Sequence, residues 1–210
     1  MIDYEYSEYK YPTAHGSCSH AYLFPAVLRA LKGEGIRAGD RVLDLGCGNG
    51  SFASRLIASG FDVVGVDASE SGIRQAMQHH ANLTVHLGSV YDDLVSRIGT
   101  FRAIVSLEVV EHLYAPRPFA RNLYSLLNPG GVAILSTPYH GYLKNLAIAI
   151  AGKSDRHYDP LWDGGHIKFW SKKTLRELLV ESGFVDIRFL NAGRLPLLAK
   201  SMIAIAHKNP

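Results

Sequence analysis

The sequence has few of the features that mark secreted, membrane-spanning or nucleic-acid-binding proteins. It contains two cysteines in 210 residues, too few for a disulfide framework, and we expect Cys18 and Cys47 to be free thiols in a cytoplasmic protein. The longest apolar runs, 146–152 and 203–206, fall far short of the roughly 20 residues that span a bilayer. No charged segment followed by an apolar core opens the chain, so we expect no signal peptide.

Charge is also nearly balanced. Lysine and arginine exceed aspartate and glutamate by 22 to 19, and no cluster concentrates the excess, so we expect no nucleic-acid partner. A hydrophobic fraction of 47% with 20% charged residues predicts a folded domain rather than a disordered chain. We interpret 1–210 as a single domain, with an N-terminal arm at 1–20 and an insertion at 139–170.

Most of the chain alternates between short apolar strands and helical segments, which predicts a mainly parallel sheet covered on both faces. The predicted strands are 41–45, 62–66, 83–87, 103–107 and 132–136. The predicted helices are 21–32, 51–58, 70–79 and 119–127, the last closed by the turn 128–131. A helix over 172–182 is then followed by two consecutive strands, 185–190 and 202–207, which predict an antiparallel end to the sheet.

A glycine-rich turn follows the first of these strands, with the sequence Asp44-Leu45-Gly46-Cys47-Gly48-Asn49-Gly50. Glycines without a Cβ let the backbone approach a ligand, to which the next helix presents its N-terminal amides. Asp67 ends the following strand, 17 positions after Gly50 (67 − 50), where a carboxylate accepts hydrogen bonds from ribose hydroxyls. Because Asp44 would repel a pyrophosphate but attract an ammonium or a sulfonium, this chemistry favours S-adenosylmethionine over NAD. For the turn, a tight structural bend or another nucleotide-binding fold is the alternative, and Asp44 alone could be a helix-capping carboxylate.

Three motifs in sequence order resemble those of class I S-adenosylmethionine-dependent methyltransferases. Residues 42–50 (Val-Leu-Asp-Leu-Gly-Cys-Gly-Asn-Gly) resemble motif I, and residues 64–67 (Val-Gly-Val-Asp) resemble motif II. Residues 127–131 (Leu-Asn-Pro-Gly-Gly) resemble the L-x-P-G-G stretch before the fifth strand. The resemblance implies an α/β fold: a Rossmann-like three-layer sandwich with a seven-stranded, mostly parallel sheet of order 3-2-1-4-5-7-6, in which strand 7 is antiparallel.

The resemblance also implies that residues after the third strand, Gly88, Ser89 and Val90, lie against the adenine. With the turn and the ends of the second and fourth strands, they complete the predicted cofactor site. The predicted cofactor-binding residues are Asp44, Gly46, Cys47, Gly48, Asn49, Gly50, Asp67, Ala68, Ser89, Val90, Leu107 and Glu108.

Two carboxylates and an imidazole follow the fourth strand, at the sheet edge where open α/β folds bind ligands. Glu108, Glu111 and His112 could supply a general base or the ligands of a divalent cation. The stretch resembles the E-x-x-E-H segment of methyltransferases that O-methylate catechol-like intermediates of ubiquinone biosynthesis. That resemblance implies that Glu108, Glu111 and His112 are metal ligands, with Mg²⁺ as the candidate ion. A structural or cofactor-contacting role is the alternative.

The insertion contains a predicted helix whose apolar residues share one face: Leu143, Leu146, Ala147, Ile150 and Ala151. A lid packed over the substrate pocket is the favoured interpretation. Contact of 142–153 with a membrane surface is the other, because an insertion at this position helps the ubiquinone-pathway relatives to contact the membrane.

Three histidines of the insertion, His140, His157 and His166, are candidate bases, metal ligands or structural residues. His166 is the best of them, because its glycine neighbours leave it unencumbered. We therefore predict Glu111, His112 and His166 as the catalytic residues.

Together these features predict transfer of a methyl group from S-adenosylmethionine to an oxygen of a small molecule, either a hydroxylated aromatic or a lipid-like acceptor. N-methylation or carboxyl methylation of a small molecule remains an alternative, as does a cofactor-binding protein that does not catalyse. RNA or protein methylation is a further possibility. The sequence is silent on the oligomeric state.

Overall fold

A computed structural model describes residue 11 and residues 18–194 and 198–210 of the chain. The tyrosines and His15 predicted to form the N-terminal arm therefore lie outside the described residues, apart from Tyr11. One seven-stranded sheet, of order β3-β2-β1-β4-β5-β7-β6, forms the centre of the molecule. Its strands are β1 Arg41–Leu45, β2 Asp62–Asp67, β3 Thr84–Leu87, β4 Phe101–Leu107, β5 Leu127–Pro138, β6 Val185–Ala192 and β7 Ser201–His207.

The predicted strand order and directions are confirmed. Strands β1 to β5 pair in parallel, and β7 runs antiparallel to both β5 and β6. Eight helices among the described residues accompany the sheet: α1 His20–Gly33, α2 Ser51–Ala58, α3 Glu70–His79, α4 Leu94–Ile98, α5 Pro116–Ser125, α6 Tyr142–Ile150, α7 Ser154–Tyr158 and α8 Lys172–Glu181.

The sheet separates two apolar cores, one on each face. Successive side chains of a strand point to opposite faces, so Val42 joins one core and its neighbour Leu43 joins the other. Helices cover both faces, which is why four successive residues of β1, 42–45, are buried rather than every second one. This arrangement leaves the carboxyl ends of the parallel strands as the open edge, where the polar residues collect.

The fifth strand begins earlier than its sequence predicts. The helix predicted at 119–127 lies at 116–125, because Pro116 suits a first helical turn, where no backbone N–H is needed. The stretch 128–131, predicted as a turn, is already part of β5. Its extra residues form a bulge between the pairs Phe101 with Leu127 and Ala103 with Val132.

The predicted helix of the insertion is present as α6, but its orientation differs from the prediction. No residue of α6 is buried, and Tyr142 and Ile150 are each 79% exposed. Leu143 and Leu146, expected to pack on the domain, also face outward. No helix in the described part of the chain has the length and apolar character needed to cross a membrane.

Candidate active site

Backbone hydrogen bonds hold the glycine-rich turn against the end of β2. The amide of Gly46 donates to the Val66 carbonyl at 2.7 Å, and the amide of Gly48 donates to Asp67 Oδ2 at 2.7 Å. Gly46, Gly48 and Gly50 all have positive φ angles, of 87°, 54° and 74°, which side chains rarely allow. A Cβ at Gly46 would also overlap the side chain of Val109. The turn therefore requires glycine for both conformation and space.

Asp67 lies under this turn and is well satisfied. Its Oδ1 accepts a hydrogen bond from the Ser69 amide at 2.8 Å, while Oδ2 accepts the bond from Gly48. Burial raises the pKa of Asp67, and the backbone donors at Ser69, Gly48 and Ala68 oppose that rise. The Gly88 amide donates to the Asp67 carbonyl at 2.9 Å, which brings the segment predicted to contact adenine beside the carboxylate predicted to contact ribose.

Asp44 lies at the end of β1 with only 2% of its surface exposed. Its Oδ2 is buried and has no hydrogen-bond partner among the described residues. Burial, and then the charge of Asp67, raises the pKa of Asp44 to about 7. A cationic group of a ligand would supply the hydrogen-bond donor that this buried carboxylate oxygen lacks.

The remaining predicted cofactor residues surround this turn. Asn49 is buried and accepts a bond from the Ser51 amide through its Oδ1 at 3.3 Å. Cys47 is buried, and a Cβ on Gly65 would meet its sulfur. The Ser89 amide donates to Asp92 at 2.9 Å. Ala68, Val90 and Leu107 are half-buried at the same edge of the sheet.

Glu108 follows β4 in an unusual backbone conformation, with a φ angle of 55°. Its carboxylate accepts hydrogen bonds from two serine hydroxyls, Ser136 at 2.7 Å and Ser201 at 3.2 Å. Ser201 in turn shares a hydrogen bond of 2.9 Å with the hydroxyl of Tyr22. Because β7 is antiparallel, its first residue lies beside the last residue of β5, and this topology brings Ser201 to Glu108.

Glu111 and His112 lie in a short 3-10 helix, Val110–His112, and the insertion adds His166 to them. Glu111 is 1% exposed, and its Oε1 lies 4.0 Å from His166 Nε2. One ligand atom from each of the three side chains lies within 4.8 Å of the other two. The structure thus brings together the three predicted catalytic residues. Of the three predicted metal ligands it groups Glu111 and His112, with His166 beside them, while Glu108 binds the serines.

Burial sets the protonation of this cluster. Burial, and then the charge of Glu108, raises the pKa of Glu111 well above its ordinary value. Neither Glu111 oxygen has a well-formed hydrogen bond among the described residues, although the Thr137 hydroxyl is close enough to lower the pKa slightly. Burial lowers the pKa of His166 to about 4 and also lowers that of His112. Near neutral pH both imidazoles are therefore uncharged.

Hydrogen bonds from the insertion fix the two imidazoles. His112 Nδ1 lies 2.8 Å from the Gly164 carbonyl, so this nitrogen carries the proton and Nε2 keeps its lone pair. The amides of Ile167 and Lys168 both donate to the Glu111 carbonyl at 3.0 Å. The Trp170 indole donates to the Val110 carbonyl at 3.2 Å. The end of the insertion is thereby fastened over the 3-10 helix.

The other two insertion histidines, His140 and His157, lie in an aromatic cluster. The ring of His140 lies 5.2 Å from that of Phe169 and 6.1 Å from that of His157. Burial, and then the charge of Lys144, lowers the pKa of His140 to about 4. Both histidines are close enough to His166 for their charges to lower its pKa, so this cluster adjoins the predicted catalytic residues.

A cleft of about 510 Å³ opens between α6 and the start of β7, with Glu108 and Ser201 among its lining residues. Lys144 and Arg194 also line it. Tyr22, Ser201 and Arg194 lie outside any sequence motif and were not predicted. Segments distant in sequence bring them to the cleft, with Ser201 placed there by the antiparallel pairing of β7 with β5.

Comparison with known proteins identifies a family. Residues 18–188 match a family model described as a methyltransferase domain. The ubiquinone biosynthesis O-methyltransferase of Caulobacter sp. strain K31 is 38% identical over 118 residues, which are 54% of this chain and 46% of that protein. The protein of the same name from Dinoroseobacter shibae is 32% identical over 166 residues, 76% of this chain and 65% of that one. The chain spans about half the length of the first of these curated relatives.

Solved structures share the fold. Magnesium protoporphyrin IX methyltransferase from Synechocystis, with bound SAH, superposes with a TM-score of 0.68 at 23% identity. The match covers 89% of this chain and 82% of that one. At this level of identity the likeness extends to the fold.

Proposed function

This chain belongs to the methyltransferase domain family, and we propose that it transfers the methyl group of S-adenosylmethionine to an oxygen of a hydroxylated small molecule. The observation that carries the proposal is the pair of Glu111 and His166, a buried carboxyl and a neutral imidazole 4.0 Å apart. An oxygen nucleophile needs to lose a proton during methyl transfer. His166, paired with Glu111 beyond the carboxyl end of β4, can accept that proton.

The residues around the glycine-rich turn fit the cofactor. The unpartnered Oδ2 of Asp44 suits its ammonium group, and a backbone turn of glycines can approach a ligand closely. Asp67 retains acceptor capacity for ribose hydroxyls beyond its backbone amide donors. When bound, S-adenosylmethionine supplies an electrophilic methyl group on a sulfonium centre.

Proton removal is assigned to the imidazoles. A neutral His166 accepts the proton of the acceptor hydroxyl, and the imidazolium that results lies beside Glu111. The proton taken from the acceptor stays on His166, which is exposed enough to pass it to solvent after methyl transfer, and its positive charge favours the ionised form of Glu111. His112, held through its Nδ1, presents Nε2 as a second acceptor. Most of the rate increase would come from alignment of oxygen and methyl, with the base adding to it.

A divalent cation is the second candidate for activating the hydroxyl. Glu111, His112 and His166 offer one oxygen and two nitrogen ligands within 4.8 Å of one another. Such a set would hold an ion and lower the pKa of an acceptor hydroxyl. The observation that favours it is the buried, poorly partnered carboxylate of Glu111.

The exposed apolar face of α6 supports an amphipathic or lipid-like acceptor. Tyr142, Leu143 and Ile150 present this face to solvent beside the cleft. Single exposed apolar residues are common on protein surfaces, but a contiguous set of them is not. We propose a small-molecule acceptor, with contact between 142–153 and a membrane surface as a possible route for its delivery. Sedimentation with phosphatidylcholine vesicles tests that contact, since Ile150→Ser should weaken it.

The test of the main proposal is transfer of a labelled methyl group to a panel of catechols, phenols, carboxylates and amines, with Mg²⁺ or with EDTA. Methylation of a catechol or phenol supports the proposal. Transfer that EDTA abolishes assigns the activation to a metal, and transfer that ignores EDTA assigns it to the imidazoles. Exclusive methylation of amines or carboxylates contradicts the proposal.

A further inference from the structure

We infer that the cleft beneath α6 binds an acidic group of the methyl acceptor, a carboxylate or a phosphate. The acceptor would then be an anionic hydroxylated molecule. This inference rests on the proposed function, but the residues that carry it are not those assigned to methyl transfer.

Positive charge dominates the cleft. Its lining includes four cationic side chains, Lys144, Lys153, Arg194 and Lys200, against one carboxylate, Glu108. The hydroxyls of two serines already donate to Glu108, and they satisfy it within the protein. Among the residues that the structure describes, none of the four cations forms an ion pair.

Lys144 and Arg194 line the same cleft, and the charge of Glu108 acts less strongly on Lys144 than that of Arg194 does. Burial, and then the charge of Arg194, lowers the pKa of the half-buried Lys144. The Lys144 ammonium donates one hydrogen bond, to the Tyr139 carbonyl at 2.8 Å, and an ammonium has three donors. An anion bound between Lys144 and Arg194 would use the free donors and relieve the repulsion.

The rest of the lining is apolar and suits the body of such a molecule. Pro138, Ala147, Ile148, Ala151 and Leu198 contribute this surface. A volume of about 510 Å³ is within the range of small-molecule sites. Glu108 also lines the cleft and lies three positions before Glu111. An acceptor with its acid among the cations could therefore direct a hydroxyl towards the proposed base.

The direct test compares an acid with its neutral amide. We expect the enzyme to methylate dihydrocaffeate with a kcat/KM about tenfold above that of dihydrocaffeamide, the gain of one charge-assisted hydrogen bond. Arg194→Gln should remove most of that preference by raising KM for the acid, and Arg194→Lys should retain it. Arg121→Gln, on the exposed side of α5, is the matched control and should leave kcat/KM unchanged for both substrates.

Equal kcat/KM values for the acid and the amide in the wild-type enzyme would overturn the inference. So would a fall in kcat/KM in Arg194→Gln that is equally large for the acid and for the amide. If neither catechol is methylated, the proposed acceptor chemistry fails but the anion site is still testable. Equilibrium binding of phenylpropanoate and phenylpropanamide measures it alone, and tighter binding of the acid that Arg194→Gln abolishes supports it. Equal binding of the two, or none, overturns it.

Binding to the anionic headgroups of a membrane is the competing role for these cations. Vesicles of phosphatidylglycerol and of phosphatidylcholine distinguish it from an acceptor site. If Arg194→Gln weakens binding to phosphatidylglycerol vesicles and leaves the preference for the acid intact, the cations serve lipid headgroups and the inference is wrong. Loss of the acid preference with unchanged vesicle binding supports it.

Discussion

Asp67 and Glu111 are both buried carboxylates at the open edge of the sheet, yet their surroundings differ. Asp67 accepts hydrogen bonds from the amides of Gly48 and Ser69, whereas neither oxygen of Glu111 has a well-formed bond among the described residues. A buried acid that accepts hydrogen bonds contributes to the stability of the folded protein, whereas a buried acid without donors lowers that stability. Asp67 is thus held by satisfied backbone contacts, while Glu111 remains an unsatisfied group that a reaction can use.

The largest expected effect tests the acceptor side. Glu111→Gln removes the carboxylate that stabilises the protonated imidazole of His166, and we expect kcat to fall roughly 10²- to 10³-fold. Affinity for S-adenosylmethionine should stay within about twofold, because the turn is untouched. Labelled methyl transfer and equilibrium binding measure the two quantities. Glu177→Gln on the exposed face of α8 is the control, and an unchanged kcat in Glu111→Gln would remove Glu111 from the mechanism.

The second effect tests the cofactor side. Gly46→Ala and Gly39→Ala place a side chain at nearly equal φ angles, 87° and 84°, so backbone strain alone should cost each variant about 1 kcal/mol of stability. A Cβ at Gly39 meets nothing within 4 Å, whereas one at Gly46 overlaps Val109. We expect affinity for S-adenosylmethionine to drop about 30-fold in Gly46→Ala alone. Equal affinities in the two variants would show that the turn does not contact the cofactor.

The third effect is a pH dependence. Protonated Asp44 does not attract an ammonium, so cofactor affinity should rise about tenfold between about pH 6 and 8, as the carboxyl ionises near its pKa of about 7. Stability should change in the opposite direction. The folded pKa lies above the ordinary value of 3.8, so the unfolded chain ionises first and stability falls as pH rises from about 4 to 7. Calorimetric titration of Asp44→Asn should show no rise in affinity, and a rise equal to that of wild type would contradict the role of Asp44.

The smallest effect compares the two buried acids directly. We expect Asp67→Asn to lower the free energy of unfolding by about 1 kcal/mol, because it loses charge-assisted bonds from two amides. Glu111→Met should raise it by about 1 kcal/mol, because an apolar side chain of similar size replaces a poorly partnered acid. Urea unfolding measures both. A change of the same sign in the two variants would remove the distinction between the two sides.

The cofactor side was predictable from sequence because its signals are local. Strand β1, helix α2 and helix α3 have the predicted bounds, since an apolar run, a glycine turn and the Ser69 cap each act within a few residues. The prediction that Gly88, Ser89 and Val90 lie against the adenine came from the resemblance to a family, not from a local pattern.

The acceptor side depends on contacts between distant segments. His166 lies beside Glu111, 55 positions earlier (166 − 111), because two amides of the insertion bond to the Glu111 carbonyl. Apolar periodicity located α6 but could not say which face would meet the domain. Packing left Leu143 and Ile150 in solvent and turned Ala147 and Ile148 to the cleft. No sequence pattern predicts which face of such a helix packs against the rest of the domain.

Transfer of a carbon-13 methyl group from S-adenosylmethionine to dihydrocaffeate, with the product identified by nuclear magnetic resonance, shows whether His166 activates an acceptor oxygen. We expect an aryl methyl ether, formed by the wild-type enzyme and nearly absent with His166→Gln at saturating cofactor. A methyl ester, or ether formation that His166→Gln leaves unchanged, would contradict it.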